Sequence, residues 1–133
     1  MAIRPNQAVT STTPPNIELK VQIIRLEATA ADAVGFAAFV LPKNAIVTGA
    51  FTYTAVSNAS QTINVGTTLG GTQLLNATPT VTVGFAAVGN TTGANFGVQA
   101  TADTLYYAKA SATLTSPVIV TIQYYIPQQG NTY

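Results

Sequence analysis

The sequence predicts an all-β protein, a single-domain antiparallel β-sandwich. Three observations carry that expectation. Apolar and Thr-rich residues alternate with a period of two along most of the chain, the pattern of strands with one buried face. The alternating runs are short and are separated by Gly, Pro and Asn clusters at roughly even spacing, as in sandwiches and barrels. No stretch carries three secure helical turns, and only 7% of the 133 residues are charged, against about 25% in ordinary domains.

Residues 1–16 are read as an extended N-terminal arm. Pro5, Pro14 and Pro15 cannot donate ladder hydrogen bonds, and only Ile3 and Val9 are large and apolar. The sandwich is assigned to residues 17–127. Ile17, Leu19, Val21 and Ile23 alternate with Glu18, Lys20 and Gln22, and then Ile24 and Leu26 are apolar in the opposite phase. That slip predicts a bulge at Ile23-Ile24, which would switch the faces of the strand. Leu26 to Ala33 has room for a helical turn.

Seven more strands are expected. Val34 to Leu41 is apolar throughout and ends at Pro42. Ile46 to Val56 sets Val47, Phe51, Tyr53 and Ala55 against Thr48, Thr52 and Thr54. Thr62 to Leu69 points Ile63, Val65 and Leu69 inward and turns at Gly70-Gly71. Thr80 to Val88 puts Val81, Val83, Phe85 and Ala87 on one face, and Asn95 to Thr101 carries Phe96, Val98 and Ala100. Thr104 to Leu114 alternates Leu105, Tyr107 and Lys109 with Tyr106, Ala108 and Ala110. Val118 to Ile126 alternates Val118, Val120, Ile122 and Tyr124 with Ile119, Thr121, Gln123 and Tyr125, and Pro127 stops it. Residues 128–133 are read as a short C-terminal tail. Eight strands in this length fit a jelly roll.

Composition narrows function. The chain has no His and no Cys, and from Asn44 onward only Asp103 and Lys109 are charged. Catalysis of hydrolysis and transfer draws mainly on such side chains, so the sequence points away from an enzyme and calls for no cofactor or metal. The four acidic residues, Glu18, Glu27, Asp32 and Asp103, form no glycosidase-like pair and no clustered calcium loop. They are expected as solvated charges or partners of Lys20 and Arg25. A net charge of +1 gives no electrostatic case for nucleic acid or an anionic membrane. No apolar run of 18 residues spans a bilayer, and Met1 to Gln7 lacks the apolar core of a signal peptide. Asn-x-Ser/Thr triplets at Asn58, Asn76 and Asn90 are expected as turn residues. A nearly uncharged surface is prone to association, so copies of the chain or a partner should cover much of it.

The stretch Phe36 to Thr48, with Phe39-Val40-Leu41-Pro42 at its corner, followed by Ile63-Asn64-Val65-Gly66-Thr67-Thr68 and Leu74-Leu75, resembles small jelly-roll structural proteins of tailed bacteriophages. Some of these are decoration (cement) proteins of the phage head. The resemblance spans about residues 17–126. It implies a virion component made in the host bacterial cytoplasm and bound to the outer surface of the phage head. Its implied partners are the major capsid protein and itself, as homodimer or homotrimer, with no catalytic residue to carry over. The competing expectation is a carbohydrate- or receptor-binding sandwich of a phage fibre or tail.

Contact candidates come from the arm, the tail and the tyrosines. Tyr106-Tyr107 and Tyr124-Tyr125 are adjacent pairs, so each places one ring on either face of a sheet. The inward ring joins the core, and the outward ring is suited to an interface by its large apolar area and polar tip. The candidates are Ile3, Arg4, Val9, Tyr106, Tyr125 and Tyr133.

Overall fold

A computed structural model describes residues 18–89 and 91–127. It contains β1 (Lys20–Leu26), α1 (Ala30–Val34), β2 (Phe36–Leu41), β3 (Ile46–Thr54), β4 (Thr62–Gly66), β5 (Leu75–Pro79), β6 (Gly84–Ala87), β7 (Thr104–Ala110) and β8 (Val118–Tyr125). The strands form two four-stranded antiparallel sheets in the orders β1-β8-β3-β6 and β2-β7-β4-β5. Apart from the β4-β5 hairpin, each connection between consecutive strands passes from one sheet to the other. This interleaving is the two-Greek-key layout of a jelly roll, so the expected fold class is the observed one.

The core lies between the sheets. β8 supplies Val118, Val120, Ile122 and Tyr124, β1 supplies Ile24 and Leu26, and Ile63, Val65, Phe39 and Leu41 face them from the other layer. Full burial of each such side chain contributes about 1.5–3 kcal/mol. The corner after β2 forms as the sequence suggests. Pro42 ends the strand, Asn44 takes a positive φ of 73°, and the Lys43 amide donates to Asp103 Oδ1 at 2.8 Å. The helical turn appears as α1, where the Thr29 hydroxyl caps the Asp32 amide.

Several expectations are corrected. β1 has no bulge: its pairing with β8 runs unbroken from Lys20↔Tyr124 to Leu26↔Val118. Ile24 and Leu26 face the core, while Val21 and Ile23 are 50% and 66% exposed. The strand is apolar on both faces, which mimics a phase slip. In β3 the register does shift, between Val47 and Gly49 against β8. Beyond that shift the faces exchange, so Thr52 and Thr54 are buried and Phe51 and Tyr53 point outward. β4 stops at Gly66, leaving Leu69 exposed, and Gly66 is a glycine because a Cβ there would strike the Gly71 backbone. The expected strand 95–101 is a chain of turns bonded to β3 by the Gly97 amide, which donates to the Val47 carbonyl at 3.0 Å, and to the corner before β3 by the Ala100 amide, which donates to the Ala45 carbonyl at 2.9 Å. β5 was not expected. Leu75–Pro79 contains Asn and Pro, and it is tolerated as an edge strand because it ends its sheet beside β4, with only the Leu75↔Thr92 bridge on its other side among the described residues.

The buried threonines belong to a polar knot. Asn58, fully buried, donates from Nδ2 to Thr54 Oγ1 at 3.3 Å and accepts at Oδ1 from the Ser116 amide at 2.7 Å. Its own amide donates to the Thr80 carbonyl at 3.1 Å. The Asn58 side chain thus ties the end of β3 to the segment before β8, and its backbone amide adds the segment after β5. Its burial also removes it as a glycosylation acceptor in the folded chain. Asn58→Ala leaves the Ser116 amide unpaired in the interior and should cost about 2–3 kcal/mol, read as a lower urea midpoint with an unchanged slope.

Candidate functional site

The carboxylates are spent on local structure. Glu18 pairs with Lys20 at 3.4 Å, and Arg25 pairs with Glu27. Asp32 Oδ2 accepts the Glu27 amide at 2.6 Å, and Asp103 braces the Lys43 corner. Among the described residues no group of three potential metal ligands comes together, and no helix is long and apolar enough to cross a membrane. Two shallow cavities lie among the described residues. One, of about 210 Å³, lies beside Thr52, Thr78 and Val88; the other, of about 180 Å³, lies beside Leu41, Gln99 and Thr104. Both are smaller than the roughly 300 Å³ of ordinary ligand pockets, and neither is lined by a charged side chain.

The tyrosine pairs split across the sheets, one ring to each face. Tyr124 is inward and Tyr125 is half-buried on the outer face of β8, opposite Ile46. The expectation for Tyr106 is corrected. It is 2% exposed, stacked on Phe39 at 5.2 Å between ring centroids, and its hydroxyl accepts from Asn95 Nδ2 at 3.2 Å. Its neighbours on that face, Ala108 and Ala110, are small enough to leave room for a ring in the core, and Tyr107 is the outward member of the pair. Ile3, Arg4, Val9 and Tyr133 lie outside the described residues.

What the tyrosines led past is the outer face of the β1-β8-β3-β6 sheet. Directly paired residues of antiparallel strands point to the same side, so the register defines rows across this face. One row runs Arg25, Ile119, Tyr53, Phe85. The next runs Ile23, Thr121, Phe51, Ala87, and a third runs Val21, Gln123, Gly49. Phe85 is 76% exposed and packs against Tyr53 with centroids 4.9 Å apart. Gly49 leaves space over the sheet that the Gln123 amide fills, since a Cβ there would come within 2.7 Å of Gln123 Oε1. The result is a flat face whose single charge, Arg25, is paired with Glu27 at the margin. Two signals for it stood in the sequence: adjacent Ile23-Ile24, and the apolar alternation of Val81, Val83, Phe85 and Ala87, of which only Phe85 and Ala87 fall within β6.

No protein-family model and no curated protein matches this chain. Among solved structures it is similar to a chain in the capsid asymmetric unit of cyanophage Pam1, with a TM-score of 0.55 and 22% identity over 96% of this chain and 94% of that one. It is also similar to a chain in the acid-stable capsid structure of Helicobacter pylori bacteriophage KHP30, with a TM-score of 0.58 and 11% identity over 83% of this chain and 89% of that one. These likenesses share the fold.

The two tyrosines of β7 should separate core from surface. Tyr106→Ala should cost about 3–5 kcal/mol by opening a cavity, while Tyr107→Ala should cost about 1 kcal/mol or less, both measured by urea unfolding. Equal losses would contradict the assignment of faces.

Proposed function

We propose that this chain is a structural virion protein, a decoration (cement) protein that binds the outer surface of a phage head and stabilises contacts between major capsid subunits. The observation that supports this reading is the correspondence of 96% and 83% of this chain with chains found in two phage capsid structures. The molecule's chemistry agrees with it. The carboxylates serve ion pairs and caps, the cavities are small, and large apolar side chains such as Phe85, Ile23 and Val21 are exposed. Such a protein acts by covering and bridging, through many weak contacts spread over a surface, and in this reading it also associates with itself.

The direct test is reconstitution. Purified chain is added to particles that lack it, and their thermal disruption temperature is measured. Saturable binding with a rise in that temperature supports the proposal; binding to neither the head nor its coat protein refutes it.

Salt dependence follows from the charge inventory. With nine formal charges in the chain and two local ion pairs among the described residues, few charges are free to pair across an interface. The shell affinity should change less than about threefold between about 50 mM and 1 M NaCl, whereas an electrostatic interface weakens steeply over that range. Release of the chain at moderate salt and neutral pH would contradict the reading.

Residues 1–16 are proposed to add contacts on the shell. At about 3.3 Å per residue the segment reaches at most ~50 Å, enough to cross onto a neighbour. Deleting residues 2–14 should leave the sandwich folded and lower its occupancy on particles. Unchanged affinity would remove the arm from the binding account.

A further inference from the structure

We propose that the outer face of the β1-β8-β3-β6 sheet is the surface on which a second copy of this chain packs, face to face about a two-fold axis running along the strands. The inference rests on the self-association in the reading above and adds the surface.

The area fits. Four strands spaced about 4.8 Å apart, from four residues in β6 to nine in β3 and averaging seven, at ~3.4 Å per residue give a footprint of roughly 450 Å² before side-chain relief. Exposed Leu19 beside β1 and Val83 beside β6 extend it at both edges. Monomers rarely leave an apolar patch larger than a few hundred Å² open, and the smaller stable interfaces bury about 600 Å² per partner.

The chemistry favours a copy over an unrelated partner. A two-fold interface must be complementary to itself. The face is neutral apart from Arg25, so two copies meet without like charges opposed. A two-fold axis along the strands reverses each row. The row that begins at Arg25 and ends at the Tyr53–Phe85 pair is then laid against its own reverse. That places each guanidinium over the partner copy's aromatic pair, where a cation is attracted within about 6 Å of a ring. Ile23 is brought toward the opposite end of the middle row, and Thr121 of one copy meets Phe51 of the other. Sheets packed this way lie about 10 Å apart with strands within about 30° of alignment.

The test uses the full chain in sedimentation velocity, with circular dichroism to confirm folding. Wild type should be dimeric at about 100 µM, and Phe85→Asp and Ile23→Asp should each weaken the dimer about 100-fold, because a carboxylate in a dry apolar contact is strongly penalised. Both positions are exposed in the monomer, so folding should survive. The chain has no Cys, which permits a second measurement. A short bismaleimide should link two copies of Thr121→Cys and fail to link Ser111→Cys, which lies away from the face.

A dimer indifferent to Phe85→Asp and Ile23→Asp, with no Thr121→Cys linkage, would overturn the surface while leaving self-association intact. A wild-type monomer would overturn both. A monomer that loses shell binding on Phe85→Asp would assign the face to the coat protein. A monomer in which deletion of residues 2–16 uncovers the face to hydrogen exchange would assign it to the chain's own N-terminal segment.

Discussion

β8 pairs on both edges, with β1 and β3, and its residues alternate buried and half-buried without a break from Val118 to Tyr125. Its inward side chains form the middle of the core, and its backbone sets the register of the strands beside it. That register stacks Ile24 and Leu26 on the core face and, by the same alternation, places Ile23 and Val21 on the other. The pairing that builds the sandwich therefore also builds the apolar outer face. One cannot shift without the other, since a one-residue slip would exchange every side chain between the two sides.

A chain with so few charges has to satisfy its interior with neutral groups. Asn58, Thr54 and Thr80 do so where three loops converge, and Thr78 and Thr91 pair through their hydroxyls at 3.0 Å. Neutral hydrogen bonds of this kind each contribute about 1 kcal/mol and are costly when left unmade. They fix geometry and carry no reactivity. The carboxylates are likewise committed to caps, corners and neighbouring cations.

The fold was legible wherever one face is polar. β8 read correctly because its outward positions include Thr121 and Gln123, which mark the phase, and in β7 Lys109 marked the alternation but not which tyrosine lies inward. β1 was misread because both of its faces are apolar, and period-two reasoning then finds a slip that the backbone does not make. Thr52 and Thr54 were assigned to the polar side because the register shift near Gly49 leaves no composition signal. β5 escaped notice because Asn76 and Pro79 are admissible only at an edge, and edge position is a tertiary fact. The proposed contact surface was half legible. Alternation separated Tyr106 from Tyr107 without saying which was inward, although Ala108 and Ala110 beside Tyr106 were the available clue. Phe85 was seen as part of a face but not as an exposed one.

These features converge on a sheet with two apolar faces, one closed by the second sheet and one that, in the proposal above, assembly closes. Hydroxyl-radical footprinting of the chain, comparing assembled particles with the dissociated protein, tests that claim directly. Phe85 and Tyr53 should label readily in the dissociated chain under dilute conditions and be strongly protected in the assembly, while Tyr107 on the opposite sheet serves as an internal comparison. Equal labelling of Phe85 in both states would mean that the face stays in water, and the account would be wrong.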